Sequence, residues 1–187
     1  MPNTRVKIAD DDGNLVGPNE KGELLVKLPC SLLGYYKNPE ANENAFDDEG
    51  WLKTIDVGYF NDAGHLYLVD RKKDIIRYHY FHIFPTEIEQ VIQKLEGVKE
   101  VCVVGVPEPS VWEILVAIVV KIPGSKLKEE DVFNIVANEL TDYKKLRGGV
   151  FFVNEDLPKT GSSKVQRRLV KANAEKLYAE RNKNVNL

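Results

Sequence analysis

Short runs in which apolar and polar residues alternate dominate the first 70 residues. Such alternation places one face of a β-strand against a core and the other face in water. Turn-type sequences separate the runs, most clearly at Asp12-Gly13 and at Asn61-Asp62-Ala63-Gly64. The pattern predicts strands at residues 4–9, 22–28, 57–60 and 65–69. We therefore expect residues 1–70 to form a small antiparallel sheet or a partial, β-barrel-like subdomain.

Longer patterns of two kinds follow in residues 74–187. Apolar residues spaced three and four apart predict amphipathic helices at residues 88–95, 132–140 and 170–177. Continuous apolar runs of strand length predict strands buried on both faces at residues 101–106 and 114–120, and residues 149–153 predict another strand. Helices and strands interleaved in this way predict an α+β domain, so the whole chain is assigned to the α+β class.

The stretch from residue 69 to residue 78 separates these two patterns. It is rich in charged residues of both signs and contains neither glycine nor proline. A run of this polarity suits an exposed connection between two bodies that move relative to each other. It equally suits a solvent-exposed edge strand whose charges discourage pairing with another chain. Both interpretations stay open on composition alone.

Charge and cysteine content narrow the class of protein. The net charge is −3, so the chain as a whole has no attraction to nucleic acid or anionic lipid. Residues 159–183 carry eight basic side chains but Tyr178 as their one aromatic, so bases have no stacking platform there. Cys30 and Cys102 belong to no paired motif, and no apolar stretch approaches the roughly 20 residues of a membrane span. We expect a soluble intracellular protein with no nucleic-acid partner and no membrane span.

Residues 158–164 form the first candidate site. The Gly and Ser residues of this stretch predict a mobile backbone, and Lys164 would carry a compact positive charge to a phosphate or carboxylate. A surface loop with a solvated lysine is the alternative. Asp56 is placed to accept hydrogen bonds from the two hydroxyls of a ribose, and Arg71 to donate to the same sugar. A turn-capping aspartate and a surface ion pair are the alternatives for these two.

Nine short motifs occur in one order along nearly the whole chain. They are Gly22-Glu23-Leu24, Gly34-Tyr35, Asn38-Pro39-Glu40-Ala41, Gly50-Trp51-Leu52, Thr54-x-Asp56, Asp70-Arg71-x-Lys73, Pro85-x-Glu87-Ile88-Glu89, Tyr143-Lys144-Lys145-Leu146 and Pro158-Lys159-x-x-x-x-Lys164. This order resembles the C-terminal part of the adenylate-forming enzymes, a family that includes acyl-CoA synthetases, 4-coumarate–CoA ligases and beetle luciferases.

The resemblance implies a reaction in which ATP and a carboxylic acid give an acyl-adenylate and pyrophosphate. The thiol of coenzyme A then displaces AMP. By the same resemblance Lys164 is the catalytic residue, neutralising charge that develops between the carboxylate and the α-phosphate. Asp56 and Arg71 are nucleotide-binding residues.

The resemblance also implies a moving lid. Residues 71–73 would be a hinge, with Lys73 as the pivot, and residues 74–187 would be the lid domain that rotates about it. After rotation, the side that bears Arg77, Tyr80 and His82 would serve thioester formation.

The motifs cover only the rear part of the family's enzymes. We expect a large N-terminal domain, which would hold ATP, Mg²⁺ and the acyl group, to precede residue 1. The carboxylic acid and coenzyme A would be partners through that domain. Alone, this chain is expected to bind none of these tightly and to be inactive. The expected compartment is the cytoplasm, or the peroxisome by family analogy, although the terminal Val185-Asn186-Leu187 is not the Ser-Lys-Leu signal.

Four positions depart from the family pattern. Ile55, Tyr80 and Ser163 stand where the family has glycine, and His82 replaces a glutamine. Tyr80 would obstruct the path of the pantetheine arm, so we expect weakened use of coenzyme A. An alternative function is therefore kept open, a non-catalytic module that binds a nucleotide, an acyl-CoA or a partner protein. His79 and His82 have helical metal-ligand spacing but no third ligand nearby in sequence, so no metal site is predicted.

Overall fold

A computed structural model describes residues 2–30 and 32–185, with side chains through Lys183. The chain divides into two compact units, Met1–Lys73 and Asp74–Leu187, called unit 1 and unit 2 below. The described residues form nine strands and four α-helices, and the predicted α+β class is confirmed.

Unit 1 is built on a four-stranded antiparallel sheet in the order β1-β2-β3-β4. Its alternating apolar residues bury one face, with Ile8, Leu24 and Val57 among the buried side chains. The sheet is open, with β1 and β4 at its edges, so the described residues form no closed barrel. A closed barrel has no sheet edge, whereas β1 and β4 each pair with one described strand only. The strands are Arg5–Ala9 (β1), Gly22–Lys27 (β2), Leu52–Phe60 (β3) and Leu66–Arg71 (β4).

The glycine, Asn-Pro and acidic residues of positions 34–50 predict a surface loop, but a five-residue helix, α1 (Pro39–Glu43), lies within this segment. Asn38 caps it, because its side-chain oxygen accepts a hydrogen bond from the Ala41 amide at 3.1 Å. Pro39 occupies the first helical turn, where its missing N–H costs nothing. A helix this short leaves too little apolar periodicity to be predicted.

Unit 2 is built around a long antiparallel pair, β7 and β8. β9 runs parallel to β8, and the β5–β6 hairpin joins the start of β8 through a pairing of Tyr78 with Trp112. β7 lies at an edge of the sheet. The strands are Ile76–Tyr78 (β5), Phe81–Ile83 (β6), Val98–Glu108 (β7), Trp112–Lys121 (β8) and Gly149–Val153 (β9).

Helices cover both faces of this sheet. α2 (Pro85–Ile92) and α3 (Glu129–Glu139) pack on one face, and α4 (Arg167–Val185) packs on the other. Residues 115–120 of β8 are therefore buried without interruption, which explains their continuous apolar sequence. Truncating such a side chain to alanine typically costs about 2–5 kcal/mol. The sheet and its helices are a rigid scaffold from which surface segments project.

The polar stretch at residues 69–78 contains both an edge strand and the boundary between the two units, and movement about that boundary stays a prediction. Residues through Arg71 belong to the edge strand β4, and Lys72–Asp74 form one 3₁₀ turn where unit 1 ends and unit 2 begins. Ile76 and Tyr78 are then buried in the core of unit 2. The charged residues from Asp70 to Asp74 thus lie in the edge strand and the turn, and Arg77 is the exposed residue of β5 between these two buried ones.

Candidate functional site

Residues 158–166 fold back on themselves as a small hairpin, called the Lys164 hairpin below. Lys159 and Val165 form a bridge, and the Gln166 amide donates to the Pro158 carbonyl at 2.8 Å. The tip closes through the Ser163 amide, which donates to the Thr160 carbonyl at 2.9 Å. The Gly and Ser residues of the sequence predict a mobile backbone here. The hydrogen bonds instead give the segment a defined shape, because threonine and glutamine supply pairing groups that a Gly/Ser pattern does not reveal.

Lys164 presents its ammonium to solvent at the base of this tip. Its amide donates to the Thr160 hydroxyl at 3.2 Å, and its carbonyl accepts from the Thr160 amide at 2.8 Å. The side chain is exposed, and within the part of the chain that the structure describes its ammonium has no hydrogen-bond or ion-pair partner. A fixed backbone thus carries an uncommitted positive charge, which suits an anionic group that arrives from outside unit 2.

Asp56 and Arg71 meet in unit 1. They are opposite each other in the β3–β4 register, and Arg71 Nε lies 3.2 Å from Asp56 Oδ1. Thr54 holds the local backbone, since its hydroxyl accepts from the Asp56 amide and donates to the Leu24 carbonyl. Among the described residues, none donates a hydrogen bond to Asp56 Oδ2. One carboxylate oxygen is therefore held by the guanidinium and the other can accept a hydroxyl.

The proposed hinge residues differ in how they are held. Lys72 pairs with Asp11 at 2.8 Å and Glu23 at 3.0 Å. The hydrogen bond to Asp11, together with Glu23, raises the pKa of Lys72 above its ordinary value despite partial burial. Asp74 belongs to unit 2, where its carboxylate lies 3.7 Å from Arg167 Nε. Lys73 between them is exposed. This pattern suits a pivot at Lys73, which stays a prediction.

Arg77, Tyr80 and His82 lie on the β5–β6 hairpin of unit 2. Arg77 and His82 are paired in register, and the Arg77 amide donates to Glu113 Oε2 at 2.9 Å. Tyr80 is 98% exposed at the tip, so its ring projects fully from the hairpin. Tyr78 is buried in the core. Burial of Tyr78 therefore anchors the hairpin in the core, and the exposed ring of Tyr80 makes its tip bulky.

The substituted glycine positions fall into two kinds. Ile55 and Ser163 adopt φ values of +63° and +61°, a region that glycine occupies freely and a β-branched side chain rarely adopts. Tyr80 is not among the residues with positive φ, and its neighbour His79 is, at +50°. At Ile55 and Ser163 the unusual backbone thus exists without the glycine. At Tyr80 the departure acts through the bulk of the side chain.

Trp112 is a further strained position, which the sequence did not reveal; it has a φ of +72° and is 64% exposed. It lies beside the β5–β6 hairpin, since the His79 amide donates to the carbonyl of the preceding Val111. The one available signal was the turn-type Pro109-Ser110 before it. Two neighbouring turns of unit 2 therefore hold bulky rings in a conformation that favours glycine.

A cavity of about 550 Å³ lies between α3, α4 and residues 145–149. Its basic side chains are already paired, Arg147 with Asp142 and Arg181 with Glu129. None of the candidate residues named above lines it. Over the described residues, no group of three potential ligands could hold a metal ion, and no helix is long and apolar enough to cross a bilayer.

Comparison with known proteins places these features in a family. Residues 87–164, which end at Lys164, match the AMP-binding enzyme C-terminal domain. The chain is 41% identical over 180 residues to 4-coumarate–CoA ligase 1 of Oryza sativa subsp. japonica, covering 95% of this chain and 32% of that protein. It is 38% identical over 172 residues to luciferin 4-monooxygenase of Nipponoluciola cruciata, covering 91% of this chain and 31% of that protein.

Among solved structures, ATP-bound MatB from Rhodopseudomonas palustris matches with a TM-score of 0.88 and 29% identity. The match covers 95% of this chain and 35% of MatB. The chain thus spans about a third of the length of the relatives that it matches. The predicted resemblance is confirmed: this chain belongs to the adenylate-forming enzymes, with the 4-coumarate–CoA ligases, luciferases and acyl-CoA synthetases as homologues, and carries their AMP-binding C-terminal domain.

Proposed function

We propose that this chain supplies the C-terminal part of an ATP-dependent ligase that joins a carboxylic acid to coenzyme A. The observation that carries the proposal is Lys164, an exposed ammonium without a partner on a hydrogen-bonded hairpin. Its position at the end of the matched family region supports the same role. The remaining two thirds of such a ligase would hold ATP and the acid.

The proposed chemistry of Lys164 is electrostatic. In adenylation a carboxylate oxygen attacks the α-phosphorus of ATP, a new O–P bond forms, and pyrophosphate leaves with the electrons of the broken P–O bond. Negative charge grows on the phosphoryl oxygens as the bond forms. An ammonium held beside them stabilises that transition state, and such a group is worth about 2.7–4 kcal/mol.

Asp56 and Arg71 are proposed to hold the ribose of the nucleotide. The free Oδ2 of Asp56 fits an acceptor of ribose hydroxyl groups, and Arg71 keeps the carboxylate oriented through Oδ1. The described residues offer no carboxylate cluster for Mg²⁺, so no step is assigned to the metal. Coenzyme A would supply the thiol that displaces AMP. Rotation about Lys73 would present the β5–β6 hairpin, with Arg77, Tyr80 and His82, for that second step.

A second candidate function is a non-catalytic module that binds a nucleotide, an acyl-CoA or a partner protein. The full exposure of Tyr80 and the strained backbone at Ile55 and Ser163 favour it, because each departs from a glycine of the family. The two proposals differ on whether Lys164 can still support adenylation.

The deciding experiment joins this chain to the N-terminal two thirds of the rice 4-coumarate–CoA ligase, in place of that enzyme's own C-terminal third. We call this protein the fused enzyme. We expect ATP–pyrophosphate exchange with 4-coumarate from the fused enzyme and none from the 187-residue chain alone. The unaltered ligase is the positive control. A folded fused enzyme without exchange supports the non-catalytic module, and exchange by the chain alone contradicts its proposed inactivity.

A further inference from the structure

The outer edge of β7 is covered by side chains. β8 pairs with one side of β7, and no described strand pairs with the other. At Val103 the amide on this open side donates to Glu89 Oε1 at 2.7 Å, and the carbonyl accepts from Arg167 Nη1 at 2.7 Å. An edge strand left open exposes unpaired backbone groups. Glu89 and Arg167 satisfy two of them in the manner of a neighbouring strand.

Arg167 also joins several elements at this point. Its guanidinium holds the Glu89 carboxylate through both nitrogens, with Nη2 3.2 Å from Oε2, in the two-pronged geometry that makes such pairs strong. Nη1 lies 3.4 Å from Cys102 Sγ, and Nε lies 3.7 Å from Asp74 at the start of unit 2. The side chains of Arg167 and Glu89 are about four-fifths buried, so exchange with water weakens these contacts little.

The two ends of the Lys164 hairpin are held on the same strand. Before the hairpin, the Leu157 amide donates to Glu100 Oε2 at 3.1 Å, and Lys159 pairs with the other oxygen of Glu100. After the hairpin, Arg167 binds Val103, three residues along β7. The hairpin is thus fixed at both ends to one rigid strand, and no residue between these anchors contributes an ion pair in the described chain.

We propose that Arg167 is a positioning residue for Lys164, an inference that rests on the proposed function. Only two residues, Val165 and Gln166, lie between them along the chain. Arg167 fixes the start of α4 to β7 and α2. It thereby sets the position and direction in which the Lys164 hairpin projects from the sheet. A displacement of about 1 Å can cost on the order of a hundredfold in rate. Arg167 need not touch the substrate to have this effect.

The test is a double-mutant cycle in the fused enzyme. We expect Arg167→Ala to lower kcat of adenylation about a hundredfold with little change in KM for ATP, and to have no further effect when Lys164 is already alanine. General damage to the domain would lower kcat in both backgrounds. Arg168→Ala, an exposed neighbour, is the matched control and should change neither constant. If Arg167→Ala folds poorly, the same cycle is run with Arg167→Lys, which keeps the charge but loses the two-pronged contact.

Hydrogen exchange on the 187-residue chain gives a readout without catalysis. Arg167→Ala should raise the exchange rates of the Thr160, Ser163 and Gln166 amides at least about tenfold while those of β8 stay unchanged. Unchanged hairpin exchange, or equal losses of kcat in both backgrounds, would overturn the inference. If Lys164→Ala itself leaves adenylation intact, the proposed function fails, whatever the exchange rates show.

Discussion

Two hairpins of unit 2 carry the candidate residues for the two half-reactions, and they are built in opposite ways. The Lys164 hairpin is polar and exposes one cation. An ion pair of Lys159 with Glu100 fixes one end to β7, and Arg167 fixes the other end through a hydrogen bond to the β7 backbone. The β5–β6 hairpin is fixed by burying Ile76, Tyr78 and Ile83, and it exposes the ring of Tyr80. The Lys164 hairpin presents a positive charge, and the β5–β6 hairpin presents a bulky ring.

If the two hairpins have the roles proposed above, this contrast would allow one domain to keep adenylation and lose thioester formation. Adenylation needs an unobstructed positive charge, which the Lys164 hairpin provides. Thioester formation needs room for the pantetheine arm, and an exposed tyrosine in place of glycine removes room. Because each hairpin has its own anchors, a change at one tip leaves the other in place. We therefore expect adenylation to survive and thioester formation to be weak.

Removing the ring at Tyr80 is expected to have the largest effect on this contrast. Tyr80→Gly in the fused enzyme should raise the rate at which coenzyme A reacts with 4-coumaroyl-adenylate by about a hundredfold, since a blocked approach displaces the thiol from its attack position. The rate of adenylation should not change. Single-turnover measurements with preformed acyl-adenylate separate the two steps.

Tyr80→Phe is the matched control, because it keeps the ring and removes only the hydroxyl. Its thioester rate should stay as low as that of the parent. Equal rates for the glycine and phenylalanine variants would show that the ring is not the obstacle, and the contrast between the hairpins would lose its steric basis.

The titration of Cys102, whose sulfur contacts Arg167, tests whether the core around Arg167 is closed to water. Burial raises the pKa of this thiol from 9.0 to about 12, partly offset by Arg167. Between pH 9 and pH 12 the Cys102 thiol therefore keeps its proton in the folded state and loses it in the unfolded state. The resulting stabilisation is complete below pH 9 and is lost as the pH rises towards 12, with a slope approaching about 1.4 kcal/mol per pH unit.

Urea unfolding between pH 8 and pH 10.5 measures this slope. Cys102→Ala should flatten the decline in the free energy of unfolding, whereas Cys30→Ala, which alters the exposed thiol, should not. Lysines whose pKa is raised, such as Lys72, also reduce stability at high pH, but equally in all three proteins. If the free energy of unfolding falls with pH at the same rate in the parent and in Cys102→Ala, water reaches the Cys102 thiol in the folded state.

The tips of the two hairpins offer a smaller, paired test. Ser163 and His79 both have positive φ, so glycine should relieve about 1 kcal/mol of backbone strain at each. His79 also packs edge-on against Tyr78 at a centroid distance of 4.6 Å, a contact worth about 0.5–1.5 kcal/mol. Ser163→Gly should thus raise the free energy of unfolding, and His79→Gly should leave it nearly unchanged. Equal gains in urea titrations would contradict this difference.

The sequence predicted the larger elements because their periodicity is strong. The apolar spacing from Ile88 to Leu95 and the run at residues 149–153 correspond closely to α2 and β9. The β5–β6 hairpin was missed because its turn, His79-Tyr80, contains no glycine or asparagine to mark it. Backbone strain, supported by burial of Tyr78, replaces the usual turn residues there.

The sequence revealed which residues form the candidate site, but it did not reveal the contacts that hold them in place. Lys164 and the pairing of Asp56 with Arg71 follow from local motifs and strand register. The contacts of Arg167 with Glu89 and of Lys159 with Glu100 join residues 78 and 59 positions apart, a distance over which spacing carries no signal. The anchors therefore emerge only once the sheet brings these elements together.

The central claim is that Lys164 stabilises the adenylation transition state, and one measurement addresses it directly. ATP–pyrophosphate exchange by the fused enzyme is compared for Lys164→Ala and for Lys176→Ala, an exposed lysine of α4. We predict that Lys164→Ala lowers kcat by about 10²–10³ with KM for ATP nearly unchanged, and that Lys176→Ala matches the parent. An unchanged kcat for Lys164→Ala, or an equal loss in both variants, would contradict the account.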